Sequence, residues 1–173
     1  MTPEGKEIRP TSDRARTSLF NILNAWLPGK IVLDLYAGCG AIGLECLSRG
    51  AKSATFVERA HEAFYCLSKN IERLKAEGAI PLRADVWDFL ARAEGPQCDL
   101  IYADPPYREA DVEKLLAAIS ASKLTTPDTI VIIEHDETQK IEKGQIISGW
   151  QSYRENSYGK ARISFFSKDE TIA

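Results

Sequence analysis

The chain has 173 residues, of which 44% are hydrophobic and 27% charged, as in a globular protein with its own core. No apolar run approaches the roughly 20 residues of a membrane-spanning helix, and the polar N-terminus lacks the apolar core of a signal peptide, so we expect neither. A net charge of -3 excludes a strongly basic protein but leaves room for a local basic patch. The four cysteines form no C-x-x-C pair, which predicts free thiols in the reducing cytoplasm and no metal site.

The first predicted element is a helix in "RPTSDRARTSLFNILNAWLPG", residues 9–29. Thr11 or Ser12 can cap its N-terminus, and apolar residues then recur at helical spacing. Pro28 and Gly29 are expected to end it.

Strands and helices then alternate along the chain. The predicted strands are "KIVLDLYAG", "SATFVER", "AIPLRAD", "QCDLIYAD" and "TIVIIEHD", with helical patterns between them. Such alternation predicts an α/β fold with right-handed crossovers and a mostly parallel sheet covered by helices on both faces. After residue 144 the pattern changes to two strands around a turn at 156–160, which predicts a C-terminal antiparallel hairpin and seven strands in all.

A glycine-rich loop follows the first strand. Tyr36 and Ala37 lead into Gly38, Gly40 and Gly43, which have G-x-G-x-x-G spacing and open the next helix. In that context the pattern is typical of nucleotide-binding loops, because glycines allow close backbone approach and a helix N-terminus offers free N–H groups. Alone, the pattern also fits a tight strand-to-helix turn.

Acidic residues lie inside the first predicted strand and at the ends of the second and third. Glu58, next to Arg59, follows Gly38 by 20 residues, the spacing of an acid that accepts both ribose hydroxyls. Asp85 can accept from the amine of a purine while Val86 packs on the ring, and it can equally cap the following helix. Asp34 is costly inside a buried strand without a partner, so we expect it to accept from loop N–H groups or a ligand ammonium. A dinucleotide dehydrogenase would share the glycine loop and an acid that binds the ribose hydroxyls, so these features alone do not identify the class of enzyme.

The fourth strand ends in Asp104-Pro105-Pro106-Tyr107. Two prolines remove two donors and fix two φ angles, so this segment is stiff and cannot continue the sheet. It resembles the D/N-P-P-Y/F/W motif of amino methyltransferases that use S-adenosylmethionine. The resemblance implies that the Asp104 carboxylate and the Pro105 carbonyl accept from a planar amine while Tyr107 stacks on the target base.

Together with "RPTSDRARTSLFNIL" and "DLYAGCGAIGLECLSRGA", this motif resembles the bacterial RsmD family over most of the chain. The resemblance implies a Rossmann-like class I methyltransferase fold, S-adenosylmethionine as cofactor, and the N2 amine of a guanine in 16S rRNA of the small ribosomal subunit as target. It also implies that Thr11 closes over the methionine part of the cofactor and that Arg9, Arg14, Arg16 and Tyr107 meet the RNA.

We therefore expect one methyltransferase domain over 1–173, with 1–29 bordering the active site and 30–173 forming the core, in a cytoplasmic monomer. Only eight residues precede Arg9, so we expect less basic surface there than in other family members. Three other hypotheses remain open from the sequence: an adenine-N6 DNA methyltransferase, a glutamine methyltransferase, and a cofactor-binding ribosome-assembly factor without catalysis.

Overall fold

The computed structural model describes residues 10–106 and 111–168, with side chains from residue 13 onward, in two compact units, Met1–Val86 and Trp87–Ala173. Helices and strands alternate as the sequence predicts. The elements are α1 Pro10–Leu23, β1 Ile31–Leu35, α2 Ala41–Ser48, β2 Ser53–Val57, α3 His61–Leu74, β3 Ala79–Leu82, α4 Val86–Arg92, β4 Cys98–Ala103, α5 Val112–Ala121, β5 Thr125–Asp136, β6 Ile146–Ile147, β7 Trp150–Tyr158 and β8 Ala161–Ser167.

The strands of the first unit are parallel, in the order β3-β2-β1. In β1 every residue after Ile31 is buried, as expected for a parallel strand covered on both faces. β3 lies at the edge of this set and alternates between half-buried and exposed residues, with Ile80 and Leu82 exposed. The carboxyl ends of the three strands therefore lie side by side, where open α/β sheets bind ligands.

Helix α1 starts earlier than predicted. It begins at Pro10, so Thr11 and Ser12 lie in its first turn and the prediction that one of them caps it is wrong. A proline suits the first helical turn because it has no N–H to leave unpaired. The regular helix ends at Leu23, and a further turn, closed by a hydrogen bond from the Leu27 amide to the Leu23 carbonyl, follows it.

The second unit has strand order β4-β5-β8-β7-β6. β4 and β5 are parallel and the remaining pairs antiparallel, which confirms the C-terminal hairpin, with its turn at Gly159-Lys160. The count of seven strands is one too few, because β6 pairs with the start of β7. The two residues between them, Ser148 and Gly149, have φ of 51° and 82°, which is the left-handed pair that a tight hairpin requires.

Strand β5 begins at Thr125, four residues before the predicted start at Thr129. Its pairing with β4 is irregular there, since Cys98 pairs with Thr125 but Leu100 with Ile130. The buried Thr129 hydroxyl donates to the Cys98 carbonyl at 2.7 Å and so satisfies a main-chain acceptor at the irregularity. Within the described ranges, no helix is long and apolar enough to cross a bilayer.

Candidate active site

The glycine loop between β1 and α2 has three residues with positive φ, namely Tyr36 at 58°, Gly38 at 56° and Gly40 at 84°. A Cβ on Gly43 would lie 2.8 Å from Cζ of Phe56, and one on Gly40 would overlap Cδ1 of Leu67. These two glycines therefore let α2 and the loop pack closely against β2 and α3. Apart from its own chain neighbours, no atom of the described residues lies within 4 Å of the Cβ position of Gly38, so the loop is open there.

Asp34 holds the loop from within β1. Its side chain is 2% exposed, and Oδ2 accepts a hydrogen bond from the Gly43 amide at 2.9 Å, one of the free N–H groups in the first turn of α2. Burial raises the pKa of Asp34 to about 7, against the effect of the Gly43 hydrogen bond, and the charge of Glu58 raises it further. The prediction that Asp34 accepts from a loop N–H group is thus confirmed.

Glu58 is fixed by two main-chain donors. Its Oε2 accepts from the Gly38 amide at 2.9 Å and its Oε1 accepts from the Ala60 amide at 2.7 Å. Each carboxylate oxygen keeps a further lone pair. The structure therefore places Glu58, the acid predicted to bind the ribose hydroxyls, against the glycine loop. Its contact with a ribose stays a prediction.

Asp85 follows β3 at the same edge. The Glu58 amide donates to the Leu82 carbonyl, which holds the ends of β2 and β3 together. Nη1 of Arg59 lies 3.4 Å from Oδ2 of Asp85, with both side chains partly exposed. Val86 is the first residue of α4 and is 3% exposed.

These residues fit a positively charged nucleoside cofactor. An acid joined to a glycine loop can accept the ribose hydroxyls, the open position at Gly38 leaves room for close approach, and the Glu58 carboxylate adds negative charge. Among the residues that the structure describes, no three His, Cys, Asp or Glu side chains cluster as metal ligands do.

The predicted catalytic corner follows β4 in the second unit. Asp104 and Pro106 are exposed, whereas Pro105 is buried. Tyr107 lies outside the described residues. The corner continues from a strand in which Ile101 and Ala103 are fully buried, so its start is anchored in the core.

A hydrogen bond near this corner was not predicted. The Tyr102 hydroxyl donates to Oε2 of Glu134 at 3.1 Å, joining β4 to the end of β5. Burial raises the pKa of the Glu134 carboxyl, and the Tyr102 hydrogen bond partly offsets this. An acid at the end of the predicted fifth strand was the sequence signal that could have found it.

His135, the next residue, belongs to the other face of the sheet. It is fully buried, with Nε2 at 2.9 Å from the Ser164 hydroxyl, and burial lowers its pKa. The contact with Ser164 on β8 explains why a histidine is buried at this position, so we assign His135 no role in the site.

A second unpredicted contact supports the glycine loop. Nδ2 of Asn70, on α3, donates to the Cys39 carbonyl at 3.0 Å. No local pattern in the sequence marks Asn70, because its partner is 31 residues away.

The predicted RNA-binding residues are only partly described. Arg14 and Arg16 are exposed on α1, where Nη2 of Arg16 pairs with Oδ1 of Asp13 at 2.9 Å. Arg9 and the Thr11 side chain lie outside the described residues. The RNA contacts stay predictions.

The fold is that of the Rossmann-like methyltransferases. It matches a conserved hypothetical protein of Streptococcus pyogenes with a TM-score of 0.81 and 28% identity, over 89% of this chain and 95% of that one. It also matches magnesium protoporphyrin IX methyltransferase of Synechocystis PCC 6803, whose structure has bound SAM. That match has a TM-score of 0.69 and 16% identity, and it covers 94% of this chain and 82% of that one.

The family follows from the sequence comparisons. A family model described as "Conserved hypothetical protein 95" matches residues 1–167. Ribosomal RNA small subunit methyltransferase D of Escherichia coli (strain K12) is 30% identical over 169 residues, which is 96% of this chain and 83% of that protein. The chain belongs to this family, the RsmD family of methyltransferases, as its motifs indicate.

Proposed function

We propose that this chain transfers a methyl group from S-adenosylmethionine to the N2 amine of a guanine in 16S rRNA of the small ribosomal subunit. The observation that carries the proposal is the Asp104-Pro105-Pro106 corner directly after a buried strand, in a family whose E. coli member is named a ribosomal RNA small subunit methyltransferase. The cofactor is S-adenosylmethionine, which supplies an electrophilic methyl group on a sulfonium. The site of action is then the bacterial ribosome in the cytoplasm.

The residues divide into two roles. Glu58 and the glycine loop hold the nucleoside of the cofactor, with Asp34 and Asp85 beside it. The Asp104 carboxylate and the Pro105 carbonyl accept hydrogen bonds from the two N–H groups of the target amine, which orients its lone pair and reduces its conjugation with the ring. Proline stiffness means that these acceptors are placed before the substrate arrives, so little ordering is needed in the transition state.

The target guanine has to be accessible. Its N2 amine is engaged in base pairing within a helix, so the base must lie in a loop or be flipped out. Tyr107 offers a ring on which such a base can stack, and Arg9, Arg14 and Arg16 offer phosphate contacts. We infer a loop target on assembled or partly assembled small subunits.

The test is transfer of tritiated methyl to 30S subunits from bacteria that lack the family enzyme, followed by mass-spectrometric mapping of the modified base. We expect one N2-methylguanine. Asp104→Ala should reduce transfer about 100-fold or more while cofactor affinity stays within twofold, because the lost acceptor contacts the amine. Asp128→Ala, at an exposed position of β5, is the matched control.

Three results would contradict the proposal. Preferred transfer to duplex DNA would point to an adenine-N6 enzyme, and preferred transfer to a protein would point to a glutamine enzyme. Tight cofactor binding with no transfer to any of these substrates would point to a ribosome-assembly factor.

A further inference from the structure

Glu134 lies beside the proposed catalytic corner. β4 and β5 are parallel neighbours, and Ala103 pairs with Ile133. Asp104 follows Ala103, the last residue of β4, and Glu134 follows Ile133 near the carboxyl end of β5, which continues to Asp136. Neighbouring strands lie about 4.8 Å apart, so the two acidic residues lie at the same end of the sheet. The position of Glu134 is therefore set by the same register that places Asp104.

Among the described residues, one hydrogen-bond donor holds the Glu134 side chain. Tyr102 is 4% exposed, and its hydroxyl donates to Oε2 of Glu134 at 3.1 Å. Within the described part of the chain, Glu134 has no Lys or Arg within 4 Å, so no ion pair accounts for a half-buried acid there. A partly desolvated carboxylate without a cation is a better proton acceptor than an exposed one.

The charged and titratable groups around Glu134 come from five elements, β4, β5, β7, β8 and α5. On its own strand, alternation places Asp136 on the same face, where Thr138 hydrogen bonds lower its pKa. Glu134 pairs with Ile163 on β8, and His135, Arg162 and Glu155 belong to the other face. On the side of β4, the titratable groups are Tyr102 and, after the strand, Asp104. β7 contributes Arg154 and Tyr158, and α5 contributes the exposed Glu113 and Lys114. The Lys114 ammonium lies over the Trp87 ring.

We propose that Glu134 is the group that takes the proton from the methylated amine, with Tyr102 positioning its carboxylate. The inference rests on the proposed function. In the transfer, the lone pair of the target nitrogen forms the new N–C bond as the C–S bond breaks and its electron pair stays on sulfur. The nitrogen is then cationic. The Glu134 carboxylate accepts one N–H proton, leaving a neutral methylated amine, and the carboxylic acid passes the proton to solvent water.

The assignment gives each residue a different job. Asp104 binds the amine before transfer and stays a hydrogen-bond acceptor. Glu134 has to be ionised to act, so the rate should fall at low pH as Glu134 is protonated. Tyr102 favours the ionised form by donating to it, so loss of its hydroxyl should move that fall to higher pH.

The experiment measures kcat against pH, and KM for the donor from a series of donor concentrations, for three variants on saturating small subunits. Glu134→Gln keeps an acceptor for Tyr102 but cannot take a proton, so we expect kcat to fall about 100-fold, KM for the donor to stay unchanged, and the acid limb to disappear. Tyr102→Phe should move the acid limb to higher pH with a smaller loss of rate. Glu155→Gln, the same change on β7 at the other face, should match the wild type.

A second measurement does not depend on activity. In protein labelled with carbon-13 glutamate, the Glu134 carboxyl signal, assigned by its loss in Glu134→Gln, should titrate above the range of an exposed glutamate and higher again in Tyr102→Phe. If wild type methylates the amine but Glu134→Gln keeps its rate and acid limb, the inference is wrong and the proposed function stands. If wild type methylates no amine, the proposed function itself fails.

Discussion

The amide of Gly38 donates a hydrogen bond of 2.9 Å to the Glu58 carboxylate across 20 residues of chain. The acid at the end of β2 is therefore part of the loop that follows β1. Any ligand that the loop binds meets this carboxylate already oriented, since the Ala60 amide fixes its second oxygen. Preorganisation of this kind lowers the entropy lost on binding.

Replacement of Glu58 by Gln should weaken cofactor binding. The amide keeps one acceptor but loses the charge, and hydrogen bonds to a charged group contribute about 1.5–3 kcal/mol each, so we expect the Kd for S-adenosylmethionine to rise about 10- to 100-fold. Isothermal titration calorimetry measures it. Glu62→Gln, an exposed change in the first turn of α3, should leave the Kd unchanged. Equal affinities for Glu58→Gln and wild type would remove Glu58 from the cofactor site.

Asp34 predicts a pH dependence of stability. Its pKa is raised from 3.8 to about 7 in the folded protein, so the folded state binds more protons than the unfolded state between these values. Asp34 therefore destabilises the fold increasingly as pH rises from about 4 to about 7, with no further change above. Asp34→Asn keeps an acceptor for the Gly43 amide and cannot ionise.

Urea unfolding of wild type and Asp34→Asn across this pH range measures the effect. The free energy of unfolding of wild type should fall relative to the variant as pH rises, and the difference should level off above the folded pKa. A constant difference at all pH values would show that the folded pKa of Asp34 is not raised.

The two kinds of glycine in the loop should respond differently to alanine. Gly43→Ala puts a Cβ 2.8 Å from Cζ of the buried Phe56 ring, so we expect a loss of about 1–3 kcal/mol in the free energy of unfolding. Phe56→Leu should reduce the additional cost of Gly43→Ala in a double-mutant cycle, because a smaller side chain makes room. Additive effects of the two changes would refute the packing explanation.

The Cβ of Gly38→Ala would meet no described residue within 4 Å except its chain neighbours, so its main cost is the strain of a side chain at a φ of 56°. It should lose about 1–2 kcal/mol of stability from backbone strain. Because the added methyl group lies in the open part of the loop, Gly38→Ala should also lower cofactor affinity. The control is Gly29→Ala, which has a φ of 79° and an equally open Cβ position but lies outside the loop. Cofactor affinity should fall more in Gly38→Ala than in this control. Similar affinities for the two variants would place the cofactor away from Gly38.

Asn70 should act through loop rigidity. Asn70→Ala removes the donor to the Cys39 carbonyl, so the amides of Gly38 and Gly40 should exchange with deuterium faster in the free protein. Ser68→Ala, which removes a hydroxyl that donates only within α3, is the control. Unchanged exchange at both glycines would mean that Asn70 does not hold the loop.

The elements of this fold were predictable to different degrees. The alternating strands and helices were found because long apolar runs and glycine or proline breaks are local signals. β6 was missed because two residues give no periodicity, and its existence depends on the Ser148-Gly149 turn returning the chain onto β7. The N-terminus of α1 was misplaced because Thr11 and Ser12 are good caps, but Pro10 also fits a first turn.

The sequence by itself determined the residues of the candidate site: the glycine loop, the strand-end acids Glu58 and Asp85, and the segment from Asp104 to Tyr107 with its two prolines. The alternation of strands and helices was enough to predict the α/β fold, and the resemblance of the motifs to a known family indicated the family. The strand-end residues could be placed together because the carboxyl ends of parallel strands meet at one edge of the sheet. Only the tertiary structure decided that Glu58 holds the glycine loop and that burial raises the pKa of Asp34. It also decided that the Tyr102 hydroxyl donates to Glu134, while His135 belongs to the other face of the sheet. These properties depend on burial and on partners tens of residues away, which no local pattern in the chain records.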